Sequence, residues 1–154
     1  MNVVEEFTQL CRDESDLVAR LVALLEQEQK ILIKGFDVQL DALAESKSGV
    51  LDLLAASAAQ RGELMRQIGV QDSETVYIWL ADKPEASLAW TGLEEAIQRA
   101  QSINQLNGNF IDQRLSLVEG ALSTLREAAA STVGYDKAGQ LPELATGRRF
   151  LGSA

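Results

Sequence analysis

From Val3 to Lys34 the chain runs without a proline or a glycine and returns to a seam residue every three or four positions. Val3, Phe7, Leu10, Glu14, Leu17, Leu21, Leu24, Glu28 and Ile31 follow the alternating four-three step of a coiled-coil-like helix. Cys11, Val18, Leu25 and Leu32 widen that seam into a broad apolar stripe. A stripe of this length cannot be satisfied by one helix in water, so the chain must supply or recruit other helices to cover it.

The rest of the sequence continues the pattern. Gly35-Phe36-Asp37 reads as a stop followed by a cap, with the glycine suited to the residue after a helix and Asp37 to the next N-cap. The spacing predicts a second helix over 38–68, with Leu40, Leu43, Lys47, Val50, Leu54, Ala58, Arg61, Met65 and Ile68 on its seam and Gly69 as its end. So short a connection makes the two helices antiparallel neighbours. A short helix is expected at 73–82, capped by Ser73, and Pro84 suits the first turn of the next. A third long helix is expected over 85–131. Its seam runs Leu93, Ile97, Ala100, Asn104, Asn107, Ile111, Arg114, Val118, Leu122 and Leu125, with Leu115 beside it. Gly134, Gly139, Pro142, Gly147 and Gly152 then break any long helix, and 132–154 reads as a mobile tail with isolated apolar points. The expected fold is all-α: long antiparallel helices in a coiled-coil-like bundle over 1–131, with a flexible C-terminal tail.

Charges on the seams suggest a register. Glu14 and Glu28 lie on the first seam and Lys47 and Arg61 on the second, each pair two heptads apart. An antiparallel hairpin centred on the 35–37 turn sets Glu28 opposite Lys47 and Glu14 opposite Arg61. Either these four charges form two register-fixing ion pairs, or they lie at the solvated edge of the seam. Exposed pairs would contribute only about 0–1 kcal/mol each.

Composition narrows the function. The 154 residues carry 23 acids against 14 bases, a formal charge of −9, and there is no basic patch beyond Arg148-Arg149. That balance repels phosphate backbones and anionic membranes. There is no histidine, which removes the commonest general base and the commonest zinc ligand. No glycine-rich phosphate loop is present, and Cys11, the single cysteine, sits on the apolar stripe as a small core residue. No cofactor, nucleic-acid partner, stable membrane insertion or enzymatic activity is expected. One thiol and no visible secretory signal fit the cytoplasm.

Asn104 and Asn107 occupy consecutive seam positions where apolar residues are expected. They either hydrogen-bond in the core and fix register, with Gly108 admitting a close helix, or form a polar spot that receives a partner's backbone.

The stretch Asn104-Gln105-Leu106-Asn107-Gly108-Asn109-Phe110-Ile111 resembles the N-x-x-N-G-x-x-I motif of FlgN-type flagellar export chaperones. Trp90 and Leu93 resemble that family's W-x-x-L pattern, and Tyr135-Asp136-Lys137-Ala138-Gly139 its Tyr-Asp-x-x-Gly segment. Glu26 or Glu28, with Leu40, Leu43, Lys47, Leu51, Leu54, Arg61, Leu64 and Gly69, are similar in spacing to its first hairpin. The resemblance implies a cytoplasmic type III export chaperone for hook-filament junction proteins. Such a chaperone binds the clients' terminal helices and also meets the export gate of the flagellar apparatus. Carried over residue by residue, it implies that Leu115, Val118, Leu122 and Leu125 contact the client and Tyr135 the gate. Each of the four aliphatic residues can equally be ordinary core, and Tyr135 a capping residue. The alternative from another class is a self-associating coiled-coil scaffold.

Overall fold

The structure is a computed structural model in which residues 1–35 and 38–130 are described, with no account of the side chains of 127–130. The described residues form four helices: α1 (Val3–Lys34), α2 (Gln39–Gln67), α3 (Ser73–Leu80) and α4 (Pro84–Ala130). The expected tail, with Tyr135, lies outside the described residues, as do Phe36 and Asp37. None of the described helices is long and apolar enough to cross a membrane.

The helix ends follow from local chemistry. The Asn2 side chain accepts from the Glu5 N–H at 2.9 Å and the Glu5 carboxylate accepts from the Asn2 N–H at 3.2 Å, a reciprocal cap that starts α1. Gly35 leaves α1 with φ of 128°, a conformation that disfavours any side chain. Val38 precedes α2 and makes no side-chain cap. At the other end of α2, Gly69 at φ 76° donates to the Arg66 carbonyl and Val70 to the Met65 carbonyl. These are the two bonds of a Schellman stop. Ser73 is the first residue of α3, not its cap. Asp72, one position earlier, has the extended backbone of an N-cap, and its carboxylate accepts from the Thr75 N–H at 2.8 Å. α3 ends at Leu80, two residues before its expected end, and Pro84 opens α4.

Contacts along α1 give the topology. Phe7 near its start meets Trp90 near the start of α4 at a ring separation of 5.9 Å, and Glu28 near its end meets Asn107. α1 and α4 are therefore parallel. α2 runs back against α1, and α3 carries the chain across the base of the bundle. Both α2 and α4 pack along α1, while among the described residues α2 and α4 make no close backbone approach to each other.

That central position explains which part of the stripe is most buried. Phe7, Cys11, Val18, Leu21, Leu25 and Leu32 are essentially inaccessible, together with Glu14 and Glu28. Leu10, Leu17, Leu24 and Ile31, expected on the seam, are only half-buried, and Val3 is exposed. A helix covered from two sides buries the line between its neighbours deepest and leaves the flanks partly open. The core adds Val50, Leu54, Leu64 and Met65 from α2, Val76 and Leu80 from α3, and Ala86, Leu93 and Ala100 from α4. Truncating any one of the large residues here to alanine removes about 2–5 kcal/mol.

Cys11 is fully buried, and loss of solvation pushes its thiol up from 9.0 to about 12. The folded chain then holds the proton more tightly than the unfolded chain. This contribution to stability is complete below the unfolded value and falls as pH rises from there toward about 12. Urea unfolding followed between about pH 8 and pH 10.5 is expected to show a steeper alkaline loss of stability in the wild type than in Cys11→Ala. The native thiol is expected to react with a disulfide reagent only after denaturant is added.

Candidate partner-binding surface

Two buried polar layers hold the bundle. In the upper layer Lys47 Nζ of α2 lies 2.7 Å from Glu28 Oε2 of α1. The Asn107 amide of α4 donates to Glu28 Oε1 and to the Leu25 carbonyl, both at 2.9 Å. Lys47, Glu28 and Asn107 are all buried. One carboxylate thus joins three helices, each of its oxygens serving a different neighbour.

The lower layer repeats the scheme two heptads away. Arg61 of α2 grips Glu14 of α1 through two bonds, Nε to Oε2 at 2.5 Å and Nη2 to Oε1 at 3.2 Å. Here an aromatic ring supplies the α4 element: the Arg61 guanidinium sits 5.4 Å from the centroid of Trp90. Trp90 and Trp79 both pack on Phe7, and Lys83 covers Trp79 at 4.6 Å. Sequence reasoning placed Arg61 opposite Glu14 but did not find this aromatic cluster. Nor did it link Asn107 to Glu28. The available signal was three polar residues interrupting apolar seams on three helices.

Glu28, Lys47 and Glu14 are buried and Arg61 is half-buried, so neither pair lies at the solvated seam edge and the small contribution of exposed pairs does not apply. Burying these ions is costly, and the layers hold because each charge is met. Asn104 is also buried, and the side-chain oxygens of Asn104 and Asn107 accept no hydrogen bond from the described residues. With Asn107 at 0% exposure, neither it nor Asn104 lies at the surface to receive a partner's backbone. Gly108 does not admit a close helix either. A Cβ built there meets nothing within 4 Å, because the glycine is turned away from α1.

Above the upper layer, α4 outgrows the hairpin. At about 1.5 Å per residue the 47-residue α4 is about 70 Å long and the 32-residue α1 about 48 Å. Ile111, at 3% exposure, is the last deeply buried residue of α4, and Arg114 lies beside the Gly35 turn. The face that carries Asn104, Asn107 and Ile111 continues through Leu115, Val118, Leu122 and Leu125. Leu115 and Leu122 are half-buried, Val118 is 43% exposed and Leu125 64% exposed. The structure therefore brings these four together as an apolar strip of about 15 Å beyond the end of the hairpin. Tyr135 follows outside the described residues. No cluster of three or more metal-ligating side chains exists among the described residues.

Two outcomes are expected. Glu28→Gln and Lys47→Met each break the upper layer and lower stability by about 3–5 kcal/mol. The combined Glu28→Leu/Lys47→Met variant loses less than either, as read by urea unfolding. Amide hydrogen exchange is expected to be faster over 115–126 than over 93–111, since a helical end of about this length is marginal without packing.

The sequence model of one protein family, described as "FlgN protein", matches residues 1–143. No curated protein matches the chain, and no solved structure does.

Proposed function

The chain belongs to the FlgN family, a family of flagellar export chaperones. On that premise we propose that it holds hook-filament junction proteins in the cytoplasm by capturing their terminal helices on the bare face of α4. The observation that carries this reading is the continuation of the buried seam of α4 past Ile111 into Leu115, Val118, Leu122 and Leu125, where α1 and α2 no longer cover it. An amphipathic client helix laid along this strip buries its own apolar face against the four residues.

Magnitudes suit a handover. Fully burying four large aliphatic side chains contributes at most about 6–12 kcal/mol, and less here because Leu115 and Leu122 are already half-buried. Association and ordering of a disordered segment oppose it by a comparable amount, so binding stays reversible. In the same reading Tyr135, which follows α4 in sequence, contacts the export gate. The heptad spacing of the bare strip also favours one other reading, a scaffold that pairs two copies of the chain along it.

Calorimetric titration with the terminal helical segment of a hook-filament junction protein from the same organism tests both. Stoichiometric binding with a negative heat-capacity change is expected, lost in Val118→Asp/Leu122→Asp while circular dichroism is preserved. Absence of binding by a folded protein would overturn the chaperone reading. Absence of binding together with a stable dimer in sedimentation would establish the scaffold.

A further inference from the structure

We propose that the outer edge between α1 and α4 takes a second helix of the same client, an acidic amphipathic one, beside the helix on the strip. That the occupant is a client rests on the chaperone reading above. That the edge fits such a helix rests on its own residues.

Two apolar seams run along α4, not one. The first passes through Asn104, Asn107 and Ile111 into the strip. The second is Ile103, Leu106, Phe110 and Leu117, a heptad track set about 100° round the helix from the first. Ile103 and Phe110 are half-buried, whereas Leu106 is 51% and Leu117 74% exposed. α1 adds to this track. Arg99 Nη2 meets Glu26 Oε1 at 2.8 Å across the edge. Because the two helices are parallel, the same offset seven residues further on sets Ile33 level with Leu106, and Ile33 is 60% exposed. The track from Ile103 to Leu117 is about 21 Å long, enough for four turns of a partner helix.

One helix cannot cover both seams. α1 itself buries a stripe of comparable width only because α2 and α4 cover it from two sides. The upper end of the track, Leu117, lies level with Val118 of the strip. Helices seated on two seams about 100° apart have axes about 15 Å apart, a gap that about five extended residues span. A client segment that doubles back therefore reaches both.

Charge selects the kind of helix. The chain has a net charge of −9, yet from Ala96 to Ile111 α4 carries no carboxylate and one base, Arg99. Asp112 and Glu119, the next acids, fall on the opposite side of α4 from the track. Lys30 and Lys34 flank Ile33, both exposed and neither in a hydrogen bond or ion pair among the described residues. Two such lysines beside an apolar track complement a helix with leucines on its face and carboxylates along its flank, and they set partner choice more than affinity.

The test uses the full chain carrying Val118→Asp/Leu122→Asp, which spoils the strip, and two synthetic amphipathic peptides of about 18 residues, long enough to cover the track. The two have the same leucine face and differ in bearing glutamates or lysines on the flanks. Calorimetry is expected to show binding of the glutamate peptide and not of the lysine peptide. Adding Lys30→Glu/Lys34→Glu weakens it about tenfold, and adding Leu106→Asp/Leu117→Asp abolishes it with circular dichroism unchanged. No binding to the folded protein, or equal binding of the two peptides, overturns the edge as a site for an acidic helix. The shared client is read on the wild type with a segment of a hook-filament junction protein that carries two terminal helices. It is expected to bind at least about tenfold more tightly than either helix alone, a gain lost in Leu106→Asp/Leu117→Asp. Equal affinity for one helix and two overturns the shared client and leaves the edge site standing. Loss of all client binding with the glutamate peptide still bound refutes the chaperone reading alone. A dimer in sedimentation that Leu106→Asp/Leu117→Asp dissolves gives the edge to a second copy and overturns the proposal.

Discussion

The arrangement depends on one carboxylate. Glu28 lies inside the bundle, where a charge without partners is not tolerated. Its oxygens are divided between Lys47 of α2 and Asn107 of α4. Because the backbones of α2 and α4 do not approach each other closely, α1 lies between them, and Glu28 is where their axial positions are compared. A slip of either helix by one turn would strand a buried charge. Apolar contacts along the same seams, Leu for Leu, would tolerate such a slip far better. Glu14 with Arg61 and Trp90 applies the same constraint at the other end.

This explains how a bundle can present a strip of α4 at a defined place. The upper layer fixes the height at which α4 passes the hairpin turn, and every residue beyond Arg114 inherits that height. The strip from Leu115 to Leu125 continues a core face whose covering helices have stopped. Its apolar character therefore needs no separate origin. The heptad that builds the core also builds the surface, and the difference in helix length decides which part serves which role.

Much of this was legible in the sequence, and the failures have physical causes. The helix bounds follow from periodicity and glycine stops. The pairing of Glu28 with Lys47 and Glu14 with Arg61 follows from charges standing where leucines belong. The centre of the α1 seam was displaced, because periodicity cannot tell a helix with one neighbour from a helix with two. The partner of Asn107 was hidden for a related reason: nothing local says that α4 runs parallel to α1, and only that direction brings position 107 to position 28. Gly108 was read as a close-packing site from its residue type, yet its direction depends on helix phase. The bare strip was visible as seam residues, but its exposure depends on where the hairpin ends beside α4.

Trp79 and Trp90 stand together at the base, Trp79 edge-on to Phe7 and Trp90 tilted against it, and Trp90 lies about 48 Å along the helix from Leu122. The natural fluorescence of the molecule is therefore a local instrument. Its emission follows the assembly of the aromatic cluster, where α1, α3 and α4 converge and Arg61 of α2 caps the ring. It is blind to events at the other end of α4. An unchanged tryptophan spectrum on adding a ligand would carry no information about the strip, whereas a changed one would mean that the far end of the bundle had felt it.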